Sequence, residues 1–225
     1  MKVELKHQPS YSLAVVTLAP NEQVKAESSS MVSFSDGVTI ETKAEGGLLG
    51  GLKRAVSGES FFQNTFSAPA QGGEVTFAPS LPGDMKVIQM GGTGDFLLQS
   101  GAYISSELSV TMDTKWGGSK GFFGSGSLIL IKVGGQGQVV IGCYGSMEER
   151  VLAPGQKYNV DTGHIVGFDA SIQFQVKKVG GWKSTIFSGE GLICQLTGPG
   201  RVLMQTRSEE AFLGWLIPQI PTKSN

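Results

Sequence analysis

Cysteine and histidine are nearly absent from this 225-residue chain, with two of each, and charged side chains make up only 16% of it, against a usual share of about a quarter. Cys143 and Cys194 are too few for a disulfide framework or a thiolate metal site, and neither lies in a Cys-x-x-Cys pair. Both are expected as buried free thiols. Apolar runs are also short, and none approaches the roughly eighteen residues that would span a bilayer. The stretch from Leu13 to Ala19 is interrupted by Thr17 and preceded by Lys2, Glu4 and Lys6, so it reads as a strand rather than a secretory signal. Charge of one sign is lacking too: 18 basic residues face 19 acidic ones, a net charge of -1. That balance excludes a general attraction to nucleic acid or anionic membrane. A hydrophobic share of 40% argues against disorder. A soluble, cytoplasmic globular protein is expected.

Glycine, by contrast, is abundant, at 33 residues, and it carries a repeat. The stretch Gly-Ser-Gly-Ser-Leu-Ile-Leu-Ile-Lys-Val-Gly-Gly-Gln-Gly-Gln-Val (124 to 139) superposes on Phe-Ser-Gly-Glu-Gly-Leu-Ile-Cys-Gln-Leu-Thr-Gly-Pro-Gly-Arg-Val (187 to 202) with a shift of 63. Ser57-Gly58 and the Gly-Glu-Val that starts at Gly73 supply an earlier copy. Gly-x-Val markers begin at Gly73, Gly137 and Gly200, and Gly-Gly pairs at Gly46, Gly117 and Gly180 precede the Ser-Gly pairs. Proline turns at 18 to 22, 81 to 84 and 152 to 156 open the copies. The markers imply one domain over 1 to 225, with units at about 13–79, 80–147 and 148–207 and a tail at 208–225.

Each unit holds a segment that alternates apolar and polar residues, the mark of a strand with one buried face: Val38 to Glu41, Leu108 to Met112, and Ile172 to Val176. Apolar residues four positions earlier, Phe34, Ile104 and Phe168, would share that face in a straight strand. Leu128 to Ile131 reads as an inner strand covered on both sides. Only the end looks helical, where Ser208 caps a first turn containing Glu209 and Glu210, and Ala211, Phe212, Trp215 and Leu216 lead to Pro218. That helix is expected to close an open end of the β-structure.

Gly-Glu-Gly-Leu-Ile-Cys-Gln-Leu-Thr-Gly-Pro-Gly-Arg-Val-Leu-Met-Gln-Thr-Arg-Ser (189 to 208) and Val-Asp-Thr-Gly-His-Ile-Val-Gly-Phe-Asp (160 to 169) resemble the bacterial and archaeal family related to the fungal "altered inheritance of mitochondria" proteins. The resemblance runs over nearly the whole chain. It implies three tandem β-sandwich units, each like a short double-stranded β-helix, with the fold of the tryptophan RNA-binding attenuation protein. It implies no catalytic residue and no cofactor. Ser125-Gly126-Ser127 and Gly167 are mild departures from the family pattern.

The candidate chemistry is thin. A metal site of the cupin type needs about three converging imidazole or carboxylate ligands, and the chain offers only His7 and His164. Asp161, Thr162, His164 and Asp169 form the one cluster worth weighing. A His-Asp hydrogen bond pinning a turn is the first expectation there, and a small-ligand or metal-dependent activity the alternative. Ser57, Ser125 and Ser188 recur at matching positions, as a turn requirement would, and no Gly-x-Ser-x-Gly elbow accompanies them. Nucleic-acid binding ranks third, because Lys115, Lys132, Lys177, Lys178, Lys183, Arg201 and Arg207 are scattered among acids. Large apolar residues beside glycines, at Leu48, Leu49, Leu52, Trp116, Phe122 and Phe123, are the candidate interface. The expectation is a non-enzymatic oligomeric scaffold or binding module, a homo-oligomer and by guess a trimer, with a protein or small-molecule partner.

Overall fold

Period-two and apolar stretches become strands along the computed structural model, which describes residues 1–44, 62–92, 94–113, 122–123, 128–178 and 192–221. The first group is β1 (Lys2–Lys6), β2 (Leu13–Leu18), β3 (Gln23–Glu27), β4 (Met31–Phe34), β5 (Thr39–Ala44), β6 (Phe62–Ser67) and β7 (Gly73–Phe77). Then come β8 (Met85–Gly91), β9 (Phe96–Gln99), β10 (Tyr103–Glu107), β11 (Val110–Asp113), β12 (Phe122–Phe123) and the long β13 (Leu128–Gly142). The last group is β14 (Met147–Leu152), β15 (Lys157–Asp161), β16 (Ile165–Asp169), β17 (Gln173–Lys178), β18 (Leu192–Thr197) and β19 (Gly200–Gln205). One short helix, α1 (Glu209–Leu216), follows. The protein is all-β with a short C-terminal helix, and among the described residues the strands form sheets of four, twelve and three. Among the described residues no helix is long and apolar enough to cross a membrane.

The antiparallel ladders follow one scheme in three places. Strands β2 and β4 flank β7; β8 and β10 flank the second half of β13; β14 and β16 flank β19. In the same way β3 and β5 flank β6, β9 and β11 flank the first half of β13, and β15 and β17 flank β18. Strand β13 does in one piece what β6 and β7, or β18 and β19, do in two. Even the irregularities coincide: the register shifts between Met31 and Ser33, between Tyr103 and Ser105, and between Ile165 and Gly167. The bulged residues Val32, Ile104 and Val166 therefore correspond.

The Gly-x-Val markers have a steric cause. A Cβ on Gly73 would meet a Val38 methyl at 2.8 Å, on Gly137 the Glu107 carboxylate at 2.5 Å, and on Gly200 the Ser171 hydroxyl at 2.8 Å. In each case a side chain from just ahead of β5, β11 or β17 closes over the glycine. The Gly-Gly and Ser-Gly markers lie outside the described residues.

Two ladders join one set of strands to the next. Strand β10 pairs with β3, placing Ser105 opposite Ala26, Ser106 opposite Lys25 and Glu107 opposite Val24. Strand β16 pairs with β9, placing Gly167 opposite Leu98, Phe168 opposite Leu97 and Asp169 opposite Phe96. The hydrophobic core is divided to match. One cluster holds Val16, Val24, Phe66, Val75 and Phe77 and takes in Ile104 from the next set. A second holds Ile88, Leu98, Ile131 and Val139 and takes in Val166. A third holds Leu152, Val160, Phe168, Cys194 and Val202.

Several expectations change. Val38, Val110 and Ile172 are buried, but Ile40 and Leu108 are exposed, because Leu108 sits in the turn between β10 and β11 and, among the described residues, β5 pairs with β6 alone. Phe34 is exposed as well, while Ile104 and Phe168 are buried. A turn lies between each of these residues and the buried residue of its segment, Val38, Val110 or Ile172, so no straight strand carries both. The turn at 81 to 84 precedes β8, whereas those at 18 to 22 and 152 to 156 follow β2 and β14. The latter two match in detail: a Glu22 carboxylate oxygen accepts from Ala19 N at 2.8 Å, and the Gln156 side-chain oxygen from Ala153 N at 2.9 Å. Helix α1 is capped by Ser208, whose hydroxyl accepts from Ala211 N at 3.4 Å, but none of its residues is buried.

Candidate functional site

Asp161 ends β15, and its carboxylate accepts from Gly163 N at 2.8 Å, shaping the tight turn Thr162–His164. The same turn recurs at Ser100–Ala102, entered from Gln99 with nearly the same backbone angles. His164 does not bond an aspartate. Its Nδ1 lies 2.7 Å from the carbonyl oxygen of Gln205, which ties the turn to the end of β19, and the Gln205 side-chain nitrogen donates to the Gly163 carbonyl at 2.9 Å. Asp169 is engaged elsewhere, with its carboxylate accepting from Arg201 N at 2.8 Å, Nε at 3.2 Å and the second guanidinium nitrogen at 2.9 Å. The pair raises the Arg201 pKa above its ordinary value, chiefly through the hydrogen bonds that its guanidinium donates to the Asp169 carboxylate. Asp161, His164 and Asp169 are thus divided among turn, strand end and ion pair, and Thr162 is buried beside them. Among the described residues no three His, Cys, Asp or Glu side chains gather in a way that could hold a metal ion.

Of the candidate interface, Leu48, Leu49, Leu52 and Trp116 lie outside the described residues. Phe122 and Phe123 form β12, whose backbone pairs with Ile129 and Leu128. Cys143 and Cys194 are buried and free, and desolvation pushes their thiols up to about 11 and about 12. Neither is ionised near neutral pH.

Two features escaped the sequence reading. The first is a cavity of about 710 Å³ where the ends of several strands meet α1, lined by Glu27, Gln99, Tyr144, Thr162, Gln205 and Leu213 among others. Burial pushes the Glu27 carboxyl up to about 7. The available signal was positional: Glu27, Gln99 and Asp161 are counterparts at the ends of β3, β9 and β15. The second is strand β4, where Met31, Val32 and Phe34 are 36%, 57% and 44% exposed. Only pairing partners across the fold reveal it, since its sequence, Met-Val-Ser-Phe, looks like any core strand.

Comparison with known proteins places these features in context. The family model described as mitochondrial biogenesis AIM24 matches residues 3–207. An uncharacterised protein of Streptococcus pyogenes serotype M6 is 26% identical over 234 residues, covering 100% of this chain and 93% of that protein. The X-ray crystal structure of a Streptococcus pyogenes protein superposes with a TM-score of 0.79 at 24% identity, over 97% of this chain and 99% of the other. This last likeness establishes the shared fold.

Proposed function

The chain belongs to the mitochondrial biogenesis AIM24 family, and on that premise we propose that it is a non-enzymatic scaffold that works as a closed homo-oligomer, such as a trimer. One observation carries this reading: among the described residues β4 is an open sheet edge made of Met31, Val32, Ser33 and Phe34, all exposed. An uncharged, apolar edge invites pairing with another chain, and soluble proteins normally blunt such edges. Two other edge strands are blunted by charge, β1 by Lys2, Glu4 and Lys6, and β14 by Glu148, Glu149 and Arg150. Balanced charge and two free thiols favour a cytoplasmic setting.

Sedimentation velocity of the native protein beside Val32→Asp tests the reading. The native chain is expected as an oligomer at micromolar concentration, and the variant as a folded monomer. A native monomer under the same conditions would contradict it. The cavity beside Glu27 favours a second reading, a binding module for a small ligand with both apolar and hydrogen-bonding surface.

A further inference from the structure

Strand β4 has two counterparts whose surroundings indicate what it is built to meet. By ladder register Val32, Ser33 and Phe34 correspond to Ile104, Ser105 and Ser106 of β10, and to Val166, Gly167 and Phe168 of β16. Strand β10 is covered because its outer edge pairs with β3, and β16 because its outer edge pairs with β9. The difference in burial is large: Ile104 and Val166 are 2% and 1% exposed against 57% for Val32. Moreover, each of these bulged residues enters the hydrophobic cluster of the preceding set of strands, Ile104 the first and Val166 the second.

The counterpart of β3 and β9 is β15, and it too lacks a neighbour. Strands β3 and β9 are paired on both sides, whereas among the described residues β15 pairs with β18 alone and β4 with β7 alone. The chain therefore forms two of three equivalent junctions and carries the two halves of the third at separate edges. Within one chain β4 and β15 form no ladder.

Granted the self-association proposed above, we infer that β4 of one copy pairs antiparallel with β15 of a second copy, completing the third junction between chains. The internal junctions set its register. Ser33 falls opposite Val160, Phe34 opposite Asn159 and Ser35 opposite Tyr158. Phe34 then takes the place that Phe168 fills against Leu97, and Val32 enters the cluster around Val160. Such a contact joins two different surfaces, head to tail, so every copy offers one β4 and one β15, and a ring closes when the rotation per copy permits. Burying Met31, Val32 and Phe34 supplies apolar area on the side of association, and the ladder satisfies the outward amides and carbonyls of both strands.

Cysteine cross-linking tests this directly, because opposed residues in a ladder stand within disulfide reach. Phe34→Cys and Asn159→Cys are placed on separate chains carrying different tags, mixed, and oxidised mildly. Mixed-tag covalent dimers are expected, and the double variant is expected to give a ladder of covalent multiples that reductant collapses. Val32→Cys with Asn159→Cys, two places out of register, serves as the control and is expected to remain uncross-linked. Oligomers in sedimentation without a bond between positions 34 and 159 would overturn this junction while leaving self-association standing. A bond formed within one chain would overturn the second copy as the occupant, and monomers in sedimentation would overturn both readings.

Discussion

Leu98→Asp is expected to unfold the protein or cost it more than about 4 kcal/mol, the range reserved for an unpaired buried charge or a broken core. Leu98 is fully buried in β9, which is flanked by β13 and β16, and it stands opposite both Ile131 and Gly167. Its side chain packs in the cluster that holds Val133, Val166 and Leu203. Truncation alone would remove about 2 to 5 kcal/mol, and the carboxylate adds a desolvation cost on top. Native domains have only about 5 to 15 kcal/mol to lose. Ile40→Asp is the matched control: it lies in the alternating segment of β5 but is exposed, so its cost is expected below about 1 kcal/mol. Urea midpoints followed by circular dichroism compare the two. If Leu98→Asp unfolds within about 1 kcal/mol of the native protein, the core assignment is wrong.

Stability is expected to fall as pH rises from about 4.5 to about 7, because of Glu27. Its carboxyl titrates near 4.5 in the unfolded chain and near 7 when folded, since burial disfavours the charged form. The folded state therefore holds a proton that the unfolded state has released across that window, so the stabilisation present at low pH is lost through it. Partial solvent access makes the span an upper limit of about 3 kcal/mol. Glu27→Gln cannot titrate, so it is expected to match the native protein at about pH 4 and to exceed its stability by up to about 3 kcal/mol at pH 8. Denaturant midpoints across that range for both proteins provide the check. Parallel pH profiles would show that Glu27 is not desolvated as the cavity implies.

Local pattern carried much of the fold, and long-range pairing carried the rest. Val110 and Ile172 lie buried as their alternating segments suggest, and the Ser208 cap starts the helix as expected. Ile40 and Phe34 fail by the same logic, because alternation states which residues share a face without stating whether anything covers it. The site was legible only in its parts. Asp161 and His164 do hold a turn, but their partners, Gly163 N and the Gln205 carbonyl, are backbone groups that carry no sequence signature. For His164 the partner comes from a strand 41 residues away. Glu27 showed no signal of its own, since its altered acidity arises from the strands and helix brought around it. The exposed edge of β4 was hidden for a related reason: Phe34 is expected on a buried face, and only the pairing of β4 with β7 alone among the described residues shows it uncovered.

Hydrogen exchange of the β4 amides in the native protein, read residue by residue against β10 and β16, tests the central claim most directly. If β4 is covered by a strand of another copy, its outward amides exchange as slowly as those of Tyr103–Glu107 and Ile165–Asp169, and the protection fades on dilution as the assembly dissociates. Fast exchange across Met31–Phe34 at every concentration, with β10 and β16 protected throughout, would contradict it.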